Sequence, residues 1–218
     1  METFFVFKVS VCIFAFKMKD KILHKSAEMF LNLGFKSVTM DDIAFELGVS
    51  KKTIYNHFSN KTDLVEEVTA SVFEIVCTGI DLISSKESNP IEELYEIKRF
   101  TMEYLKNEKT SPQYQLQKYY PKIYATLKKK QFGVMQDCIT ENLKNGVEQG
   151  LYRASIDIGF ISRIYFHGIM GLKDVDLFPL KQFSMNNIME FYLEYHLRGI
   201  CTEKGMEIVT KIITKNQP

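Results

Sequence analysis

Apolar side chains recur at three- and four-residue steps along almost the whole chain. Ile22, Leu23, Ala27, Phe30, Leu31 and Leu33 form the first such stripe, the spacing of a helix that buries one face. Gly34 follows where a left-handed residue ends a helix, so the first helix is predicted over 19–33. Thr39, Met40, Asp41 and Asp42 match an N-terminal capping pattern: the threonine caps the first amides and the acids favour the positive end of the helix dipole. That helix is expected to end at Leu47, because Gly48 takes a left-handed turn at little cost. Ser50 then caps a short helix over 51–57. Ser59 or Asn60 caps a longer one, whose stripe is Leu64, Val65, Val68, Val72, Ile75, Val76, Ile80 and Ile83.

Ser84 to Pro90 is the one clear shift in composition. Beyond it the helical spacing resumes. One helix is expected around Leu94 to Leu105, two more over 116–130 and 132–149, and two long apolar ones over 156–172 and 183–199. A short helix closes the chain over 202–215. No stretch alternates with period two, and no internal repeat or low-complexity segment is present. The fold class is therefore all-α. The predicted units are an extension (1–17), a helix-turn-helix unit (18–84, motif 39–58) and a larger helical unit (85–218), to which the family resemblance given below adds a regulatory and dimerisation role.

Bulk composition narrows the function classes. The chain has 218 residues and is 45% hydrophobic, with a net charge of +1. It is not a general polyanion binder, so any nucleic-acid affinity must come from a local face. Between Ser50 and Thr62 there are Lys51, Lys52 and Lys61 and no acid. Cys12, Cys77, Cys138 and Cys201 lie far apart without metal-ligand spacing and read as free thiols of a reducing compartment. No metal or cofactor is expected. No nucleotide, nucleophile-elbow, P-loop or zinc-protease motif occurs, so the chain is expected not to be an enzyme. Residues 4–16 are mostly apolar, but a membrane-spanning helix needs about 20 residues. They also lack the basic start and cleavage site of a secretory signal. Met18 stands directly before the first helix, and is expected to be the true start.

The segment 39–61 meets the steric code of a helix-turn-helix. Ala44 is small where two short helices cross, Gly48 permits the turn, and Ile43, Leu47, Val49 and Ile54 supply a miniature core. The second helix then presents groups suited to DNA. Lys51 and Lys52 reach phosphates or guanine, and Thr53 is short enough for a base edge. Tyr55 and His57 donate to phosphates, and Lys61 adds charge beside free helix amides.

Gly34-Phe35, Thr39, Ile43-Ala44, Gly48-Val49-Ser50, Thr53-Ile54-Tyr55, His57-Phe58, Lys61 and Leu64 together resemble the DNA-binding domain of the tetracycline-repressor (TetR) family of bacterial transcription regulators. The resemblance covers about the first third of the chain from Met18. It implies a homodimer reading a near-palindromic operator on double-stranded DNA. Phosphate contacts carry over to Thr39, Tyr55, His57 and Lys61, and base-reading positions to Lys51, Lys52, Thr53 and Asn56, behind the cap Ser50. Lys52 departs from the small residue or glycine often found there, and the N-terminal extension departs as well.

The resemblance also implies that the remaining two thirds hold an effector pocket and the dimer interface. Residues 156–172 and 183–199 are the expected dimer helices, with Gly159, Gly168 and Gly171 allowing close approach. Tyr104, Tyr119, Tyr124, Met135, Arg163, Phe166 and His167 are the candidate residues for binding an unidentified small molecule. The expected function is a transcription regulator, a repressor released by that ligand, acting in the cytoplasm on the nucleoid without a membrane partner. The alternative is a helical interaction protein that kept the fold without specific DNA reading, tethered to a membrane through residues 4–16.

Overall fold

The computed structural model describes residues 18–86, 88–104, 112–174, 176–179 and 181–216. Among them there are ten helices: α1 (Met18–Leu33), α2 (Met40–Leu47), α3 (Lys51–Tyr55), α4 (Lys61–Ser84), α5 (Pro90–Tyr104), α6 (Pro112–Tyr119), α7 (Pro121–Glu148), α8 (Ile158–Gly171), α9 (Met185–Ile200) and α10 (Glu203–Asn216). An isolated antiparallel bridge joins Tyr152 to Cys201, and no strand occurs among the described residues. Cys77, Cys138 and Cys201 are free thiols. Cys12 and the 1–17 extension with its 4–16 segment lie outside the described residues. No described helix is long and apolar enough to cross a membrane.

Two hydrophobic clusters organise the helices. The first is built on Ile22, Phe30, Ile43, Ile54, Phe58 and Leu64 of α1 to α4, and it also takes Leu116 from α6 and Ile123 from α7. The second draws on Leu94, Leu143, Tyr165, Leu193, Ile200 and Val209, from α5 and α7 to α10. Helix α7 serves both, giving Ile123 to the first and Ile139 and Leu143 to the second: its 28 residues span roughly 42 Å at 1.5 Å per residue. A buried polar knot secures the second cluster. Asn142 donates to the Pro90 carbonyl at 2.8 Å and to a Glu93 carboxylate oxygen at 2.7 Å, and accepts from Tyr152 Oη at 3.1 Å. Each member is satisfied, which keeps the cost of burying it low.

One expected boundary moves. The helices anticipated over 116–130 and 132–149 are a short α6 and a continuous α7 that runs straight through Lys130 and Phe132. Pro121 sets the break. Proline fits the first turn of a helix, and it disfavours α geometry in the residue before it. Tyr120 accordingly sits at φ −135, ψ 56. Gly133 alone is not enough to interrupt a helix.

One close helix approach lies within the chain. A Cβ on Gly168 would lie 2.1 Å from Tyr192 Oη, so Gly168 admits the tyrosine of α9 from the same chain. That hydroxyl donates to the Ile164 and Tyr165 carbonyls at 3.2 and 3.1 Å. Gly171 has open space around it. Beside this contact, His196 is buried between the rings of Tyr165 and Tyr192, at 4.7 and 6.3 Å between centroids.

Candidate nucleic-acid interface and effector cavity

Local chemistry sets the geometry of α2 and α3. The Thr39 amide donates to Asp42 Oδ2 at 2.8 Å, the Asp42 amide donates back to Thr39 Oγ1 at 3.1 Å, and the Thr39 hydroxyl donates to the same carboxylate at 2.7 Å. This capping box fixes the start of α2. The bonds from the Thr39 hydroxyl and amide hold the Asp42 carboxyl below its usual range. Gly48, at φ +64, ends α2 and returns its amide to the Ala44 and Phe45 carbonyls. Ser50 Oγ accepts from the Thr53 amide at 3.1 Å and lies 2.9 Å from Thr53 Oγ1. The short α3 therefore leaves the turn in a fixed direction.

Burial sorts the residues of α3 and its flank. Ile54 and Phe58 are sealed in the first cluster. Lys51, Lys52, Tyr55, Asn56 and His57 are exposed, and Thr53 is half-buried. Tyr55 keeps 43% of its surface open although a phenol readily packs into a core. The helix stops at Tyr55 rather than at His57; Asn56 is its C-cap and His57 follows in a turn.

Lys51 and Lys52 are not equivalent. Lys51 Nζ pairs with Asp41 at 2.7 Å and sits 5.9 Å from the centre of the Tyr55 ring. The hydrogen bond and charge of Asp41 raise its pKa. Lys51 is thus tied back to α2, contrary to the expectation that it is free to reach out. Lys52 is exposed and pairs with no carboxylate among the described residues. Lys61 is the first residue of α4, which Asn60 caps by accepting from the Asp63 amide at 3.0 Å. Its Nζ donates to the Lys36 carbonyl at 3.4 Å and lies 6.0 Å from the Phe30 ring centre. Desolvation lowers its pKa, opposed by Asp42.

A cavity of about 250 Å³ lies between the two clusters. Phe30 and Phe35 close it on the α1 side, and Met135, Tyr165 and Met189 on the other. Its wall is mostly apolar, with Gln113, Gln131, Thr69, Thr101, Lys98 and Lys173 among the polar exceptions. Lys98 is ion-paired to Glu190 of α9. Among the described residues, the Gln113 amide makes long contacts, 3.4 Å to Tyr124 Oη and 3.9 Å to Met170 Sδ.

Of the seven pocket residues expected from sequence, Tyr124 and Met135 line this cavity and five do not. Tyr104 packs on Phe100 of its own helix, and Tyr119 lies under the Lys36 ammonium. Phe166 meets Phe132 edge-on. Arg163 is exposed and donates to the Gly159 carbonyl at 2.7 Å, and His167 is exposed on the same outer face of α8. The missed wall residues Gln113 and Gln131 lie on α6 and α7 among apolar neighbours. Such interruptions of an apolar stripe were the available signal. Among the described residues no cluster of His, Cys, Asp and Glu could hold a metal ion.

Known proteins share both the motif and the architecture. The family model described as "Bacterial regulatory proteins, tetR family" matches residues 22–68. The chain is 30% identical over 79 residues to the biofilm operon icaADBC HTH-type negative transcriptional regulator IcaR of Staphylococcus aureus, covering 36% of this chain and 42% of that protein. It is 32% identical over 76 residues to the HTH-type transcriptional repressor KstR2 of Mycolicibacterium smegmatis, covering 35% and 37%. The chain thus spans less than half the length of the curated relatives it matches. The fold extends much further than the sequence likeness. SmeT, repressor of the Stenotrophomonas maltophilia multidrug efflux pump SmeDEF, superposes with a TM-score of 0.65 at 14% identity, over 86% of this chain and 92% of its own. A TetR-family regulator from Agrobacterium tumefaciens gives a TM-score of 0.68 at 18% identity, over 84% and 97%. The family model matches the motif over residues 22–68, and the solved TetR-family structures share the fold of most of the chain.

Proposed function

We propose that the chain is a homodimeric, sequence-specific DNA-binding transcription regulator, a repressor that a small molecule releases from its operator. The carrying observation is the exposed face of α3. Lys52, Tyr55, Asn56 and His57 stand in solvent directly over the buried Ile54 and Phe58. In this reading Lys52, Thr53 and Asn56 face base edges, while Tyr55, His57, Lys61 and the first amides of α2 beside Thr39 grip phosphates. Ser50 orients the helix, and Lys51 contributes once a phosphate competes with Asp41. Residues 18–84 form the DNA-binding unit and 85–218 the regulatory one, with α6 and the start of α7 completing the core of the first. The names of IcaR and KstR2 as negative regulator and repressor support the sign of the effect.

Dimerisation is assigned to α8 and α9, which expose Phe160, Ile164, Phe191 and Tyr195. Two copies would bury these faces and space two α3 helices for successive major grooves, about 34–36 Å apart. The effector is assigned to the cavity. It is a small, mostly apolar molecule with one or two hydrogen-bonding groups for Gln113, Tyr124 or Gln131, since about 250 Å³ lies below the roughly 300–1,000 Å³ range of larger ligand sites. It would act by favouring a dimer geometry that no longer fits the operator. The reading contains no catalytic step, cofactor or membrane partner, and places the protein on cytoplasmic chromosomal DNA.

The test is selection of bound genomic fragments by the full chain, then a gel-shift titration at two salt concentrations with Tyr55→Ala alongside. A discrete complex that resists competitor DNA and is lost in the folded variant is the expected result. Binding that is diffuse, salt-labile and shared by the variant would point to the interaction-protein alternative.

A further inference from the structure

Charge along the chain is nearly balanced, with 28 Lys and Arg against 27 Asp and Glu. One stretch breaks that balance. Residues 112–136, covering α6 and the first half of α7, contain five lysines and no acid. Lys118, Lys122, Lys128, Lys129 and Lys130 are all exposed. None pairs with a carboxylate among the described residues, whereas Lys19, Lys25, Lys51, Lys86, Lys98 and Lys144 all do.

This basic surface is continuous with the proposed DNA interface. Lys61 Nζ touches the Lys36 carbonyl, the Lys36 amide donates to Gln115 Oε1 of α6 at 3.2 Å, and Lys36 Nζ stands 5.4 Å from the Tyr119 ring centre. Lys118 Nζ lies 5.7 Å from that ring and 5.5 Å from the ring of Tyr114. Lys122 follows in the first turn of α7, and Lys129, seven residues on, shares its outer face. Helical side chains lean toward the helix N-terminus, so both lean back toward α6 and the first cluster. The result is a ribbon of ammonium groups leading away from Lys61.

We propose that Lys36, Lys118, Lys122 and Lys129 form a second contact with the DNA backbone, gripping phosphates that flank each operator half-site. The inference rests on the DNA-binding function proposed above. Duplex DNA is the partner because the ribbon starts at a residue given to an operator phosphate, and because duplex DNA offers one charge per about 1.7 Å along the same line. An anionic lipid surface fits less well: among the described residues of α6 and the first half of α7, the exposed large hydrophobic side chains are the rings of Tyr114, Tyr119 and Phe132, with no aliphatic one. The contact reads no bases. It lengthens the footprint, adds affinity and steepens the salt dependence.

The experiment uses the full chain and a bound fragment selected from its genome. The fragment is prepared as the core that the triple variant described next still footprints, and as that core with ten added base pairs at each end. The variants are Lys118→Gln/Lys122→Gln/Lys129→Gln and, matched in kind, Lys211→Gln/Lys215→Gln on α10. Each lost phosphate contact lowers the slope of log K against log salt by about 0.9, so the triple variant loses roughly 3 per protomer on the long duplex. The expected result is that the wild type gains affinity from the added flanks, and the triple variant loses that gain while binding the core normally. The α10 variant is unchanged. Equal slopes for wild type and triple variant on the long duplex overturn the inference, as does the same loss on core and long duplex or a matching loss in the α10 variant. A triple variant that binds flanks normally but no longer binds vesicles rich in anionic lipid reassigns the ribbon to a membrane surface. A wild type that forms no complex with any fragment refutes the DNA-binding function itself, and this contact with it; core binding indifferent to the flanks refutes only the contact.

Discussion

His196 makes the stability of the second cluster depend on pH. Its imidazole is buried between Tyr165 and Tyr192, with Nε2 lacking a hydrogen-bond partner among the described residues. Burial lowers its pKa from 6.5 to about 4. In the unfolded chain the group takes up a proton below pH 6.5, while the folded chain stays neutral until about pH 4. Between those values the unfolded state binds more protons, so stability falls as the pH drops. For these two values the loss between pH 7.5 and pH 5.0 is about 2 kcal/mol, approaching about 3 kcal/mol near pH 4. The Asp42 carboxyl, also held below its usual range, loses its contribution only in more acidic solution and does not confuse that window. The assay is urea unfolding at pH 7.5 and 5.0, at one protein concentration, for wild type and His196→Phe. Whatever phenylalanine costs or adds at pH 7.5 cancels, because only the pH difference is compared. The wild type should lose about 2 kcal/mol more than the variant. Equal losses would refute the assignment of this titration to His196.

Three further outcomes follow from the same geometry. Gly48→Ala meets no atom within 4 Å of the added Cβ, so its cost is purely that of φ +64, about 1–2 kcal/mol, seen as a melting midpoint lower by roughly 2–4 °C per kcal/mol; an unchanged melt contradicts this. Lys52→Ala should weaken the operator complex more than Lys51→Ala in a gel-shift titration, and Asp41→Asn, by freeing Lys51, should tighten it; the reverse order would show that Asp41 does not restrain Lys51. Phe191→Lys with Tyr195→Lys places two charges on the exposed face of α9, and sedimentation equilibrium should then find monomers with unchanged helix content. A persistent dimer moves the interface elsewhere.

The first four helices were legible in the sequence because their determinants are local. Thr39 with Asp42, Gly48, Ser50 and Asn60 each act within one turn, and an apolar stripe of period 3.6 fixes which side of each helix meets the core. Proline at position 121 is just as local a signal, and it marks the α6–α7 break that a helix expected over 116–130 runs through. The tie between Lys51 and Asp41 had no such mark. The two residues are ten apart, and the turn that brings them together leaves no charge pattern of its own.

The cavity was the least legible feature, because its wall is assembled from both clusters and no single helix carries it. Aromatic content located Tyr124 but also Tyr104, Tyr119 and Phe166, since the size of a ring does not say which face of its helix it occupies. For α8 the periodicity could have decided. Ser162, Tyr165, Phe166 and Ile169 are buried, at the steps of one inward face. Residues 160, 163, 164 and 167 then fall on the opposite side, where Phe160, Arg163, Ile164 and His167 are exposed. The polar groups Arg163 and His167 therefore stand beside Phe160 and Ile164 on the proposed dimer surface, not in the effector site. Substituting them should change subunit association and leave the affinity of the cavity for an apolar ligand intact.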